Sequence, residues 1–278
     1  MLERFAVLAE GLNHPEGVAW NPVDGRVYAG GEGGEIYRIS LDGEVELLAS
    51  SGGSMLGVAV DGRGLIYACD CEQGEIARLD PRTGAISVYA RGAAGGDLDT
   101  PNGIAFGPDG MAYVTCSGEQ GEPAIVRIAP GGRTENWTAA VRRYPNGCLV
   151  TPDGAALIVV EGDAQRLVRV PIAADGSAGE PQTVAELPDT DADGVGLAAD
   201  GSYWVTLYRP DGLVRVTAQG AVQAVVDDHL ASRLDAPSDL AWVPTSLDRV
   251  VVANVGDRFL SIADVGVAGT PPHYPVLP

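Results

Sequence analysis

Five oxygen-bearing side chains, Glu16, Asn102, Asn146, Asp193 and Ser238, recur at one position of a repeated sequence pattern. Two carboxylates, two amides and a hydroxyl, with no Cys or His among them, make a hard donor set. Such a set suits a divalent cation, Ca²⁺ before Mg²⁺. The charges of Glu16 and Asp193 balance a doubly charged ion. Three or four protein ligands leave coordination positions open for water and a substrate, as catalysis requires. Asn and Asp before Gly are also ordinary turn residues, so polarity at one position alone carries no weight. Equivalence across the repeats does.

The pattern that establishes equivalence runs the length of the chain. Its copies read Pro15-Glu16-Gly17-Val18-Ala19-Trp20, Met55-Leu56-Gly57-Val58-Ala59-Val60, Pro101-Asn102-Gly103-Ile104-Ala105-Phe106, Pro145-Asn146-Gly147-Cys148-Leu149-Val150, Ala192-Asp193-Gly194-Val195-Gly196-Leu197 and Pro237-Ser238-Asp239-Leu240-Ala241-Trp242. Position 16 recurs at 56, 102, 146, 193 and 238, with spacings of 40, 46, 44, 47 and 45. A period in that range marks an array of like supersecondary units.

Each copy reads as four short strands. In the first they are Val18 to Asn21, Arg26 to Gly30, Glu35 to Ser40 and Val45 to Ala49, turned at Asp24-Gly25 and Asp42-Gly43. Asp-Gly hairpin turns are expected here with both central residues at positive φ. The predicted fold is all-β: a single six-bladed β-propeller over residues 1–278, with four-stranded antiparallel blades. The sixth copy lacks a fourth strand, while Phe5 to Gly11 is a strand without a blade, so the N-terminal strand is expected to close the last blade. The innermost strand of each blade would then aim its ring residue at the central axis. The insertions Arg91 to Thr100 and Asp227 to Ala236 would wall a pocket on that face, the second with a turn of helix. Asp189 to Asp200 mimics an EF-hand loop, but its flanks read as strands rather than helices.

Composition narrows the partners. Acidic residues outnumber basic ones by 38 to 18, a net charge of −20, so neither nucleic acid nor an anionic membrane surface is an expected partner. A small-molecule substrate is expected, and the sequence leaves the oligomeric state open. The charged start Met1-Leu2-Glu3-Arg4-Phe5 has no apolar leader, and Cys69, Cys71, Cys116 and Cys148 lack C-x-x-C spacing. Both favour a reducing cytoplasm. No serine-hydrolase elbow, P-loop, H-E-x-x-H or dinucleotide fingerprint occurs. His14 is the one histidine beside a ring residue, with a rim role favoured over a catalytic one.

At these residues the chain resembles the gluconolactonase and regucalcin (senescence-marker-protein) family of six-bladed propellers. Pro15 to Trp20 resembles its first-blade motif, Tyr144-Pro145-Asn146-Gly147 its fourth and Asp193-Gly194 its fifth. The resemblance implies Glu16, Asn146 and Asp193 as ligands of one divalent cation, Ca²⁺ with Mg²⁺, Mn²⁺ or Zn²⁺ as alternatives. Asp193 would also be the catalytic proton acceptor. It implies Asn102 at the substrate or the metal's water. Ser238, His14 and an acidic residue of the following loop, Glu119 or Glu122, are further substrate-side candidates. Sugar-lactonase members often carry Arg two residues before the third-blade Asn and Asp after it; Thr100 and Gly103 stand there instead.

The resulting expectation is a metal-dependent lactonase-type hydrolase that opens a small lactone by attack of metal-activated water. The alternatives are a phosphotriesterase-like or non-hydrolytic enzyme on the same scaffold, and a non-catalytic binding propeller.

Overall fold

The computed structural model describes residues 1–244 and 246–278. The chain forms six four-stranded antiparallel sheets, the blades of a propeller. The inner strands are Val18–Asn21, Met55–Val60, Pro101–Phe106, Pro145–Val150, Asp191–Leu197 and Pro237–Val243. The N-terminal strand Ala6–Glu10 lies outermost in the sixth sheet, antiparallel to Phe259–Ala263, with Ala6 opposite Ile262 and Glu10 opposite Phe259. The two ends of the chain therefore clasp the ring shut, as expected, and the last blade keeps no open edge towards its own missing strand.

The apolar residues alternate along the strands so that each sheet buries both faces against its neighbours. Between blades one and two pack Tyr28, Ile36, Met55, Val60, Ile66 and Leu79. Trp20, Val27, Ile39, Val251, Ala253 and Leu260 join blade one to blade six. The core is thus a set of inter-blade layers, each fixing the angle of one sheet against the next.

The hairpin turns differ from expectation in a way their chemistry explains. Gly25, Gly43, Gly110, Gly154 and Gly201 lie at φ between 67° and 89°, whereas the Asp before each does not adopt positive φ. The Asp instead uses its carboxylate. Met111 N donates to Asp109 Oδ1 at 3.1 Å, Ala155 N to Asp153 Oδ1 at 3.0 Å and Ser202 N to Asp200 Oδ1 at 3.0 Å. These are Asx turns closed by a left-handed Gly, so one residue supplies the acceptor and the other the backbone freedom.

The EF-hand mimic falls on the strands Asp191–Leu197 and Tyr203–Arg209, so no EF-hand is present there. Helix appears in the first insertion, as a 3-10 turn at Ala93–Gly95, and the second insertion contains turns without helix. Among the described residues no helix is long and apolar enough to cross a membrane. The four cysteines are free thiols. Cys69 and Cys116 are buried in one apolar cluster, and burial pushes both thiols up, Cys116 to about 12.

Candidate metal centre

The hub is built from close backbone approach. A Cβ on Gly147 would lie 2.6 Å from the carbonyl oxygen of Asp193 and 2.7 Å from Gly194 Cα. A Cβ on Gly103 would lie 2.8 Å from the carbonyl oxygen of Asn146. Glycine after the ring residue in the first five blades is therefore what lets successive inner strands meet. Two buried threonines fasten them. Thr115 Oγ1 accepts from Gly103 N at 2.8 Å and donates to Asn146 O at 2.7 Å. Thr206 Oγ1 accepts from Gly194 N at 2.7 Å and donates to Ser238 O at 2.9 Å. These threonines escaped the sequence reading; the shared Val-Thr at Val114-Thr115 and Val205-Thr206 was the available signal.

Four ring residues share one small cavity. Glu16, Asn102, Asp193 and Ser238 line it together with Asp239 and Gly57, and its volume is about 40 Å³. That holds roughly an ion with a few waters rather than an organic substrate. Asn146 is not part of that wall, but its side chain lies close enough to Asp193 to counter the effect of burial on that carboxyl. Leu56 is the apolar member of the ring, 9% exposed.

The hub concentrates negative charge. Burial pushes the Glu16 carboxyl up to about 7, reinforced by Asp239 and Glu32. Burial also raises Asp193, with Glu16 and Asp239 adding to the effect and the Asn146 hydrogen bond opposing it. Asp239 is likewise raised to about 7 by burial, although Val18 N and Leu240 N donate to it. Among the described residues no Lys or Arg lines the cavity. Asn146 is 8% exposed, and among the described residues its Oδ1 has no hydrogen-bond partner. An orphaned buried acceptor beside carboxylates without a counter-ion fits a cation. Among the described residues no three side chains of His, Cys, Asp or Glu converge on one point, so an ion here would depend on the Asn146 amide.

Above the ring stands a repeated strained turn. His14, Thr100, Tyr144 and Ala236, each two residues before a ring residue and followed by Pro, have φ of 44°, 53°, 56° and 47°. Left-handed backbone at non-glycine residues is costly and clusters at functional sites. His14 Nδ1 pairs with Glu32 at 2.9 Å and stays partly exposed. Tyr144 opens the fourth-blade motif, two residues before Asn146. Its hydroxyl is raised to about 12 by burial, then by Glu119, Glu16 and Asp193. Glu119 is exposed, and its charge reaches Tyr144 at the mouth. Glu122 is exposed in the same loop.

A second, larger cavity lies along the inner strands. It is about 140 Å³ and is lined by Trp20, Phe106, Leu240, Trp242 and the C-terminal residues Pro272 and Tyr274. The C-terminal segment is fixed there: Tyr274 donates to Trp20 O at 3.2 Å, and Gly62 N donates to Pro275 O at 2.8 Å. Its wall is mostly apolar, so the chemistry belongs to the smaller, carboxylate-lined cavity.

A propeller with oxygen donors from separate blades gathered at its axis defines the class, and comparison supplies the family. The chain belongs to the SMP-30/gluconolactonase/LRE-like family, which it matches over residues 14–238. Its fold is similar to that of a gluconolactonase from Xanthomonas campestris, with TM-score 0.80 at 19% identity, covering 96% of this chain and 89% of that one. It is similar to a calcium-binding regucalcin from Agrobacterium tumefaciens, with TM-score 0.75 at 18% identity, covering 99% and 98%. It also resembles virginiamycin B lyase from Staphylococcus aureus, with TM-score 0.65 at 16% identity, covering 93% and 98%. No curated protein sequence matches the chain.

Proposed function

We propose that this protein is a divalent-cation-dependent hydrolase that opens a small lactone. The observation that carries the reading is the partnerless Asn146 Oδ1, buried beside Asp193, which shares a cavity free of basic side chains with Glu16. The family and the gluconolactonase and regucalcin neighbours supply the chemical direction.

Glu16, Asn146 and Asp193 would hold the ion, Ca²⁺ being favoured by an all-oxygen set. A cation bound there supplies Lewis-acid charge towards an ester carbonyl oxygen and favours ionised carboxylates around it. Asp193 then acts as the proton acceptor. It takes a proton from water as the water oxygen bonds to the carbonyl carbon. The ring C–O bond breaks and the departing oxygen takes up a proton, leaving a hydroxy acid. Asn102, at the same cavity wall, orients water or substrate. Ser238 has its hydroxyl engaged with the Glu16 carbonyl, so its part is to shape the wall. Tyr144, Thr100, His14 and Glu119 form the substrate side.

Thr100 in place of the Arg found in sugar-lactonase members favours a lactone with few hydroxyls. The test is hydrolysis of a lactone panel with and without a chelator, repeated with Asp193→Ala. Loss of activity in both conditions supports the reading. Hydrolysis that survives chelation and the substitution overturns it.

A further inference from the structure

The sixth blade breaks the glycine ring. Where five blades have Gly17, Gly57, Gly103, Gly147 and Gly194, it has Asp239. At the other seams a glycine hydrogen faces the backbone of the next blade; at the last seam a carboxylate fills the gap. Asp239 Oδ2 accepts from Val18 N at 3.0 Å across the junction with blade one, and Oδ1 accepts from Leu240 N at 2.8 Å. One residue earlier, Ser238 donates to Glu16 O at 2.8 Å. The pair grips the Glu16-Gly17-Val18 segment on both sides of Gly17.

A neutral acceptor could make the backbone latch, so the charge needs its own account. Asp239 lines the small cavity with Glu16 and Asp193 and also the larger one, and so stands where the two meet. A Cβ on Gly194, the neighbour of Asp193, would lie 2.7 Å from Asp239 Oδ1. Among the described residues no basic side chain lines the small cavity, and Asn146 Oδ1 stands beside Asp193 without a donor. Three carboxylates so placed repel one another unless a cation shares the space. Because among the described residues no three acidic side chains converge on one point, Asp239 would act by charge and by holding Glu16, without ligating.

We propose that Asp239 is a positioning residue of the hub cation site, fixing the Glu16 turn across the last seam and adding a third negative charge that strengthens cation binding. This rests on the cation reading above. It extends the charge count: with a divalent ion bound, Glu16, Asp193 and Asp239 leave a net negative hub. Such a hub would favour a neutral substrate and the departure of an anionic product.

The experiment compares wild type with Asp239→Asn and Asp239→Ser by calcium titration calorimetry at pH 8, and by thermal unfolding in chelator and in calcium. Both variants should lose calcium affinity by on the order of ten- to a hundredfold, as expected for removing one nearby charge at intermediate dielectric. In chelator at pH 8 the Asn variant should melt no lower than wild type, because relief of repulsion offsets the altered latch. Calcium affinity unchanged in both variants, with lower melting in chelator, would show a backbone latch alone and overturn the proposal. Absence of calcium binding by wild type itself would overturn it together with the cation reading, whereas loss of lactone hydrolysis as a function would leave it standing.

Discussion

The hydroxyl of Ser238, in the inner strand of blade six, donates across 2.8 Å to the main-chain carbonyl of Glu16 in blade one. Ring closure and the candidate site therefore meet in a single bond between residues at opposite ends of the chain. Ser238→Ala leaves a carbonyl in the hub without its donor, which costs about 1 kcal/mol. For a protein of this size that lowers the melting temperature by roughly 2–4 °C. The Glu16 turn should also loosen, so calcium affinity should fall severalfold. Thermal unfolding with a parallel calcium titration reads both. A change in neither would detach the bond from the site.

The hub carboxylates predict an unusual pH dependence in the absence of cation. Glu16 is raised from 4.5 to about 7, Asp239 from 3.8 to about 7, and Asp193 is raised as well. The folded state thus binds more protons than the unfolded chain between these limits, so stability falls as pH rises through that window. A shift of this size on a buried group corresponds to on the order of 3–4 kcal/mol. In chelator, melting should be lower at pH 8 than at pH 5. Calcium should raise it more at pH 8, where the carboxylates are ionised. A chelated protein that melts higher at pH 8 would contradict the assignment.

Gly147→Ala tests the close approach of blades four and five. The added Cβ would sit 2.6 Å from Asp193 O and 2.7 Å from Gly194 Cα, both main-chain atoms with no freedom to swing aside. Overpacking of this kind costs about 1–3 kcal/mol. The displacement falls on Asp193, so kcat should drop further than the stability change explains. Steady-state kinetics at a temperature where the variant remains folded separates the two effects.

The propeller was legible because its signals are local and repeated. Asp-Gly turns, alternating apolar strands and a recurring ring residue need no knowledge of distant contacts. The orphan strand Ala6–Glu10 was readable because Arg249–Asn254 and Phe259–Ala263 lacked an outer partner. The candidate ring was legible for the same reason: Glu16, Asn102, Asp193 and Ser238 occupy equivalent positions and reach one cavity. Asp239 escaped because it occupies a glycine position, and nothing in a linear pattern shows that the last seam admits a side chain. Thr115 and Thr206 escaped because a buried hydroxyl in a β-branched strand looks like any other strand residue. Tyr144 escaped because the carboxylates whose charge acts on its hydroxyl, Glu119, Glu16 and Asp193, are distant from it in sequence.

Thr100 offers the sharpest test of substrate class. It lies two residues before Asn102 with φ of 53°, and its main-chain carbonyl accepts from Ser117 N at 3.0 Å, which anchors the turn independently of the side chain. A β-branched residue is poorly suited to left-handed backbone, and Arg lacks that branch. Thr100→Arg should therefore change stability by no more than about 0.5 kcal/mol. A guanidinium at the mouth would donate several hydrogen bonds to hydroxyls of a substrate seated over the ring. One bond of a charged donor contributes about 1.5–3 kcal/mol, so the ratio of kcat/KM for a polyhydroxylated lactone over a plain alkyl lactone should rise at least about tenfold. The measurement is a paired kinetic comparison of both lactones on wild type and variant. If the ratio stays constant while the fold holds, position 100 does not face substrate, and the strained residue-Pro turns shape the ring without contributing to specificity.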